Sequence, residues 1–274
     1  MRSSFSSVAL GIALGLIVAC GPTQSFEVPT GLPDDHVLLA VDYIVHQPEL
    51  DGVYDPRLIT LTADGTLVLE RRDVDAVLGT TAKLLDDAEL GQAWSAIVRS
   101  GVFSDGLLSL PGFAAHTTTT ATNVFRVDDG TLQTTLTIDD LGSEQVFRGE
   151  PPIQASEMSL RAAATRLMDE LRTLGGPEPW TPPALLMWWR PELPADANAT
   201  IVPWTLPLDL ATAGQAVDHP VWERCARVDG AAAAAVAELA RSLPIDHLVE
   251  QDGARYAINL RPIHPDELDD VACP

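Results

Sequence analysis

Three Asp-Gly pairs constrain the fold of this chain more than any other feature of its sequence. They are Asp64-Gly65, Asp129-Gly130 and Asp252-Gly253, and each lies between two short runs of apolar and β-branched residues. Both residue types tolerate the positive φ angles of a two-residue hairpin turn, so each pair predicts two adjacent antiparallel strands. The sequence therefore predicts three β-hairpins.

The strands of these hairpins alternate apolar and polar residues, which is typical of strands with one buried face. The predicted strand pairs are 58–62 with 66–70, 123–127 with 132–138, and 247–250 with 255–260. Two further strands are predicted, at residues 36–45 and 185–189. The first of these is apolar nearly throughout, which favours a central strand with both faces covered.

Helical spacing appears in three other segments. Asp86 and Glu89 form a predicted capping box, followed by the apolar stripe Leu90, Trp94, Ile97 and Val98 and by Gly101 as a C-terminal stop. Residues 156–174 carry a longer stripe of Leu160, Ala164, Leu167, Leu171 and Leu174. An alanine-rich helix is predicted at residues 230–243, capped by Asp229.

These elements predict an α+β fold, with antiparallel hairpin sheets and helices packed on one face. Gly175-Gly176-Pro177 is the best internal boundary, so we predict two associated subdomains at residues 36–175 and 184–274. The predicted order is β-β-β-α-β-β-α in the first and β-α-β-β in the second. A proline-dense connector that holds Trp204 and Trp222 follows the strand at residues 185–189, and no strand is predicted in it.

The N-terminus carries an apolar run over residues 8–19, which is typical of a secretory signal peptide. This run is shorter than the about 20 residues that a membrane-spanning helix needs. Ile17-Val18-Ala19-Cys20 resembles the lipobox of bacterial lipoproteins. The resemblance implies that Cys20 receives a diacylglyceryl group and that residues 1–19 are removed. A plain signal peptide with an incidental cysteine is the alternative. Residues 21–35 contain three prolines and no periodic pattern, so residues 20–35 are predicted to be a tether in the form of an extended linker.

The body of the chain contains Asp64-Gly65, Arg261-Pro262, Pro265, Glu267 and Cys273. In these seven residues it resembles a loose set of uncharacterised secreted lipoproteins from high-GC Gram-positive bacteria. The resemblance implies lipid anchoring at the extracytoplasmic face of the cell membrane, or at the outer membrane if the source is Gram-negative. That family has no agreed activity, so the resemblance implies nothing about chemistry.

Two cysteines, Cys225 and Cys273, remain once Cys20 is assigned to the lipid. In an oxidising extracytoplasmic compartment, two otherwise unpartnered cysteines most often form a disulfide. A metal site is the alternative, but no third and fourth ligand with usable spacing lies nearby. We therefore predict one disulfide that holds the C-terminus against the body.

No catalytic motif is recognisable, so we expect no catalytic residues, no metal and no cofactor. Asp34-Asp35-His36 and His264-Pro265-Asp266-Glu267 each place carboxylates beside an imidazole, and both are predicted to be solvated loops. The net charge of −22 argues against nucleic acid as a partner. The expected partners are the membrane, through the N-terminal lipid, and an envelope polymer or protein.

Five tryptophans cluster in the second half among prolines, namely Trp180, Trp188, Trp189, Trp204 and Trp222. Exposed indoles stack on sugars and anchor interfaces, so the cluster could form a binding platform. The alternative is that the indoles pack the connector against the core. The sequence predicts a lipid-anchored protein with a non-catalytic binding or structural role. Glycan or cell-wall recognition by the tryptophans, or an unrecognised hydrolase activity, are the other candidates.

Overall fold

A computed structural model describes two antiparallel-rich sheets and, among the residues described, three α-helices, as expected for the predicted α+β class. The predicted signal peptide and Cys20 lie outside the described residues. The residues that the structure describes are 26–46, 56–70, 78–102, 109–110, 120–141, 155–192, 199–244 and 247–273.

The first sheet has the strand order β4-β3-β2-β1-β6-β7-β5, and all neighbours are antiparallel except β5 and β7. The predicted central strand, β1, is the middle strand of the seven. The strands are β1 (Val37–His46), β2 (Arg57–Thr62), β3 (Thr66–Glu70), β4 (Thr80–Leu84), β5 (Ser109–Leu110), β6 (Thr120–Asp128) and β7 (Gln133–Asp139).

Helices α1 (Asp87–Arg99) and α2 (Ala155–Leu174) cover one face of this sheet and share its apolar core. The capping box of α1 is confirmed, because the Asp86 carboxylate accepts from the Glu89 amide at 2.9 Å and the Asp86 amide donates to the Glu89 carboxylate at 3.2 Å. The predicted stripe is wrong at Val98, which is 38% exposed. Val98 lies about 100° around the helix from the buried Ile97, which turns it towards solvent.

The second sheet has the order β10-β11-β8-β13-β12-β9, in which only β9 and β12 are parallel neighbours. Its strands are β8 (Ala184–Pro191), β9 (Thr200–Pro203), β10 (Gln215–Ala216), β11 (Arg224–Asp229), β12 (His247–Gln251) and β13 (Ala254–Ile263). Helix α3 (Gly230–Ser242) packs on one face, against Leu185, Met187 and Trp189 of β8. The division into two subdomains stays a prediction, although each sheet is built from one side of Gly175.

All three predicted hairpins are present, but only one has the predicted two-residue turn. β12 ends at Gln251 and β13 begins at Ala254, and both Asp252 and Gly253 have positive φ. In the other two hairpins only the glycine has positive φ, 87° at Gly65 and 84° at Gly130. In these longer turns the aspartates hydrogen-bond nearby amides instead, and the Asp129 carboxylate accepts from the Leu132 amide at 2.7 Å.

No strand was predicted in the connector between β8 and α3, but the connector contains three. The most important is β11, which pairs with β8 along its whole length, from Arg224 opposite Trp189 to Asp229 opposite Ala184. Strand β4 and the two-residue strand β5 were missed as well. The Asp229-Gly230 pair at the end of β11 leads into α3 and not into a second strand, and three of the six residues of β11 are charged.

The cap of α3 also differs from the prediction. Asp229 is the N-cap residue by position, but its side chain makes no capping hydrogen bond. Its carboxylate accepts instead from Arg227 Nε at 2.8 Å. The competing cation on the same strand therefore removes the expected cap.

Residues 26–35, the described part of the predicted tether, lie against the first sheet. Phe26, Val28 and Leu32 are partly buried against its core, and the Asp64 amide donates to the Asp34 carbonyl at 3.1 Å. This part of the tether is therefore packed structure, in contrast to the predicted extended linker. No helix in the described part of the chain combines the length and the apolar character needed to cross a bilayer.

Candidate functional site

An arginine is buried where the two sheets meet. Arg57 begins β2 and is 4% exposed. Its Nε donates to Asp42 Oδ1 of β1 at 2.8 Å, and its Nη1 donates to Asp266 Oδ1, which follows β13 of the other sheet. Its Nη2 lies 3.4 Å from Glu267 Oε1. One guanidinium therefore joins carboxylates from both halves of the chain.

The charges around Arg57 balance. Arg126 Nη2 donates to the second oxygen of Asp42 at 2.5 Å, and Arg261 Nη2 donates to Glu267 Oε1 at 2.5 Å. We call this set, together with the polar residues beside it, the inter-sheet cluster. Its members are Asp42, Arg57, Thr60, Arg126, Trp180, Arg261, His264, Asp266 and Glu267.

Electrostatics fix the charge of Arg57. Burial lowers its pKa, but the negative charges of Asp42, Glu267 and Asp266 raise the pKa by more, so the net direction is upward. Arg57 is consequently a permanent cation inside the protein. A buried charge of this kind is tolerated when it is paired and hydrogen-bonded. Asp42 and Asp266 accept hydrogen bonds from Arg57, whereas Glu267 contributes its charge beside Nη2, which has no hydrogen-bond partner among the described residues.

His264 is the second buried polar residue of the cluster. Its Nδ1 is hydrogen-bonded to Thr60 Oγ1 over 2.8 Å, and its ring stacks on Trp180 with centroids 4.7 Å apart. Burial, and then the nearby cations Arg57 and Arg261, lower its pKa well below the ordinary value. His264 is therefore neutral at physiological pH.

The prediction of a solvated loop is wrong for residues 264–267. His264 and Glu267 are buried. Glu267 accepts from the His264 amide through Oε2 at 3.0 Å while Oε1 binds Arg261. Of the positions that carried the family resemblance, Arg261 and Glu267 thus shape the turn that brings Asp266 to Arg57.

The other histidine–carboxylate motif reaches the same region. A cleft of about 290 Å³ is lined by Asp35 and His36 on one side and by Pro265 and Asp266 on the other. Arg126, Asp128 and Gln133 complete its polar wall, and His36 Nε2 lies 3.1 Å from the Asp128 carbonyl. Two sequence motifs more than 200 residues apart therefore face one cavity.

The cleft does not offer a metal site. Within the described ranges, no three His, Cys, Asp or Glu side chains are grouped so that they could hold a metal ion. The acidic residues of the cluster are directed towards arginines, which occupy the oxygens that a cation would need.

Thr60 and His264 have the spacing of a nucleophile and its general base, but not the accessibility. A hydroxyl within 2.8 Å of an imidazole could be activated for attack on a substrate. Thr60 is fully buried, and His264 is 2% exposed. A substrate cannot approach the Thr60 hydroxyl in this arrangement, so the contact serves to join the sheets.

The tryptophans are mostly part of the core. Four of the five have exposures between 0% and 7%, namely Trp188, Trp189, Trp204 and Trp222. The indole N–H groups of Trp189 and Trp204 donate to the carbonyls of Leu210 and Leu208, each at 2.8 Å. Stacking on a sugar needs an exposed ring face, so burial favours the packing alternative. Only Trp180 is half-buried, and it stacks on His264.

The predicted disulfide between Cys225 and Cys273 is confirmed, with the two Cα atoms 5.8 Å apart. It closes the C-terminal tail, defined as residues 264–273, against β11. Arg227 of the same strand also holds the tail, because its Nη1 donates to the carbonyls of Leu268 at 2.6 Å and Val271 at 3.0 Å.

Comparison of the chain with protein-family models and with curated proteins found no match. The candidate site is therefore argued from its own geometry. Sequence reasoning missed Asp42, Arg57 and Thr60 as site residues. The available signal was a cation at the start of β2, a strand in which every residue is buried.

Proposed function

We propose that this protein is a lipid-anchored extracytoplasmic protein with a non-catalytic binding or structural role at the cell envelope. The disulfide between Cys225 and Cys273 is the observation that supports the compartment best. Disulfides persist in oxidising compartments and are rare in the cytosol. With these two cysteines paired, Cys20 is left for the lipid that the lipobox resemblance implies, and acyl chains would hold the protein at a membrane.

The inter-sheet cluster supports the non-catalytic part of the proposal. Its nucleophile and base are buried, and its acidic side chains are engaged by Arg57, Arg126 and Arg261. Groups with these partners stabilise an assembly of two sheets and are not free to transfer protons to a substrate. A hydrolase would need a nucleophile and a general base that lie close together and face a cavity open to substrate.

The cleft supports the binding part of the proposal. It presents the exposed Asp35 and Gln133 beside the guanidinium of Arg126, whose side chain is 43% exposed. Groups of opposite charge in one cleft suit a polar ligand or a polar segment of a partner. The net charge of −22 disfavours nucleic acid as that partner.

Fractionation of cells that express the protein tests the anchor. We expect the wild-type protein in the membrane fraction, and intact-mass measurement should find an acylated Cys20 at the N-terminus. Cys20→Ser should move the protein out of that fraction. Cys273→Ser is the matched control, because it removes a cysteine without touching the anchor and should leave the protein at the membrane.

The anchor proposal fails if the mature N-terminus carries no acyl chain, or if Cys20→Ser fractionates as the wild type does. The binding role is tested separately by heteronuclear NMR of the Cys20→Ser chain with soluble cell-wall fragments. Shifts at Asp35, Arg126 and Gln133 are expected. Shifts confined to Trp180 would instead favour the aromatic alternative.

A further inference from the structure

We infer that the Cys225–Cys273 disulfide is a redox-sensitive latch, whose closure docks the C-terminal tail between the two sheets and completes the inter-sheet cluster. The inference goes beyond the proposed function and does not depend on Cys20. Its test therefore stays separate from the test of the anchor.

The tail has contacts on both sides. On the second sheet it is held by the disulfide, by the two bonds from Arg227, and by Gln215 Nε2, which donates to the Cys273 carbonyl at 3.3 Å. Leu268, Val271 and Cys273 pack there against an apolar cluster that includes Trp188 and Trp222.

The same tail also contacts the first sheet, because His264, Asp266 and Glu267 belong to the inter-sheet cluster. Asp266 binds Arg57, and His264 binds Thr60. Cys273 follows Asp266 by only seven residues and His264 by only nine. One short segment is thus bonded covalently to β11 near one end and by an ion pair to β2 near the other.

Without the bond, the tail would be held by noncovalent contacts alone. These are the hydrogen bonds from Arg227 and Gln215, the partly buried apolar residues, and the contacts of the tail within the inter-sheet cluster. Departure of the tail would leave Arg57 with Asp42 alone. The disulfide therefore controls contacts on a sheet to which it is not attached.

The chemistry is a two-electron exchange. A dithiol such as dithiothreitol breaks the S–S bond, gives two electrons and two protons to Cys225 and Cys273, and becomes a cyclic disulfide itself. Closure is the reverse exchange with a disulfide donor. In the extracytoplasmic compartment that donor would be a thiol-disulfide oxidant, so the latch would close after export.

NMR titration of His264 tests the latch directly. The full chain carrying Cys20→Ser, which removes the third thiol, is titrated in oxidised form and after dithiothreitol. We expect no His264 titration near neutrality in the oxidised protein, and titration near the ordinary value of about 6.5 after reduction. The amides of Glu267 and Val271, which donate within the tail, should exchange at least about tenfold faster after reduction.

The double variant Cys225→Ser/Cys273→Ser should reproduce the reduced state without a reductant. Phe125 and Leu136, buried in strands β6 and β7, are the internal control and should keep their native chemical shifts. The inference is overturned if His264 stays silent in the reduced protein. It is equally overturned if Phe125 and Leu136 lose their native chemical shifts, because reduction then unfolds the whole protein.

Discussion

The two sheets bury one face in the same way and the other face in different ways. The first sheet packs α1 and α2 on one side, and Ile59 belongs to the apolar core that they share. The second sheet packs α3 on one side, and Met187 belongs to the apolar core on that side. On its other side the first sheet presents Arg57 and Thr60, whereas the second presents Trp188 and the disulfide. The C-terminal tail contacts both of these other faces.

The difference shows how a tail of ten residues can be held against a sheet without the large apolar contact that a helix makes. Helices bury apolar area, which contributes about 25 cal/mol per Å² without any need for exact partners. The short tail cannot bury comparable area. It is held instead by a covalent bond on one side and by paired charges on the other. Both devices depend on particular residues, so single substitutions should distinguish the two kinds of face.

Removal of the disulfide should have the largest effect. In the chain-entropy model, cross-linking residues separated by 48 positions stabilises the fold by about 4 kcal/mol. We expect Cys225→Ser/Cys273→Ser to lower the free energy of unfolding by about that amount in urea titrations. Dithiothreitol should destabilise the wild type similarly and leave the variant unchanged. Equal unfolding midpoints for oxidised wild type and variant would show that the tail is held without the bond.

Arg57→Leu should have the next largest effect. It leaves Asp266 without its cation, while Asp42 keeps Arg126 and Glu267 keeps Arg261. Breaking a buried ion pair costs about 3 kcal/mol or more. The lower end applies because Asp266 is partly exposed, with 32% side-chain exposure. Arg172→Leu is the control, since it breaks an exposed pair with Asp169 and should change stability by less than about 0.5 kcal/mol. Urea unfolding of both variants provides the measurement.

Acid should weaken the fold through His264. Its folded-state pKa lies below its unfolded value, so the unfolded chain binds the proton first as pH falls through about 6.5. Stability present above that pH is then lost progressively, by about 1.4 kcal/mol between pH 7.5 and pH 5.5.

His264→Gln removes the titrating group, so its urea midpoint should depend less on pH over the same interval. His219→Gln serves as the control, because His219 lies in the connector outside the inter-sheet cluster, with Nδ1 accepting from the Val221 amide. An unchanged pH dependence in His264→Gln would contradict the assignment of a neutral, buried His264.

The smallest expected effect compares the helix caps of the two halves. Asp86→Ala removes a formed capping box and should destabilise the protein by about 1 kcal/mol. Asp229→Ala removes a carboxylate that makes no capping hydrogen bond. It should lower the free energy of unfolding by only about 0.3 kcal/mol, mainly through loss of the exposed ion pair with Arg227. Thermal or urea unfolding distinguishes the two. Similar losses would mean that Asp229 does cap α3 in solution.

Local signals in the sequence predicted much of the fold correctly. Asp-Gly pairs and alternating strands predicted three hairpins, and apolar stripes predicted three helices with boundaries close to those observed. The strands that were not predicted are β4, the two-residue β5 and those of the connector. Strand β4 is fixed by β3 on one edge and by residues 178–180 on the other, where the Trp180 amide donates to Thr80. Such pairing leaves no local pattern in the chain.

The candidate site was predicted in fragments. Asp35, His36, His264, Asp266 and Glu267 were recognised as residues that place carboxylates beside histidines, but they were assigned to two separate solvated loops. Arg57, which joins them, was not recognised. A lone arginine in a sequence is most often an exposed one, and only its carboxylate partners make burial acceptable.

The sequence by itself determined the hairpins and the helices, because turn preference and apolar periodicity act over short distances. It predicted the pairing of Cys225 with Cys273 only with Cys20 assigned to a lipid, since three cysteines otherwise allow three pairings. Only the tertiary structure decided that Arg57 is a buried cation and that His264 is neutral. Arg57 and Asp266 are 209 residues apart in the chain. Charge state inside a protein depends on desolvation and on neighbours in space, and neither is a property of the local sequence.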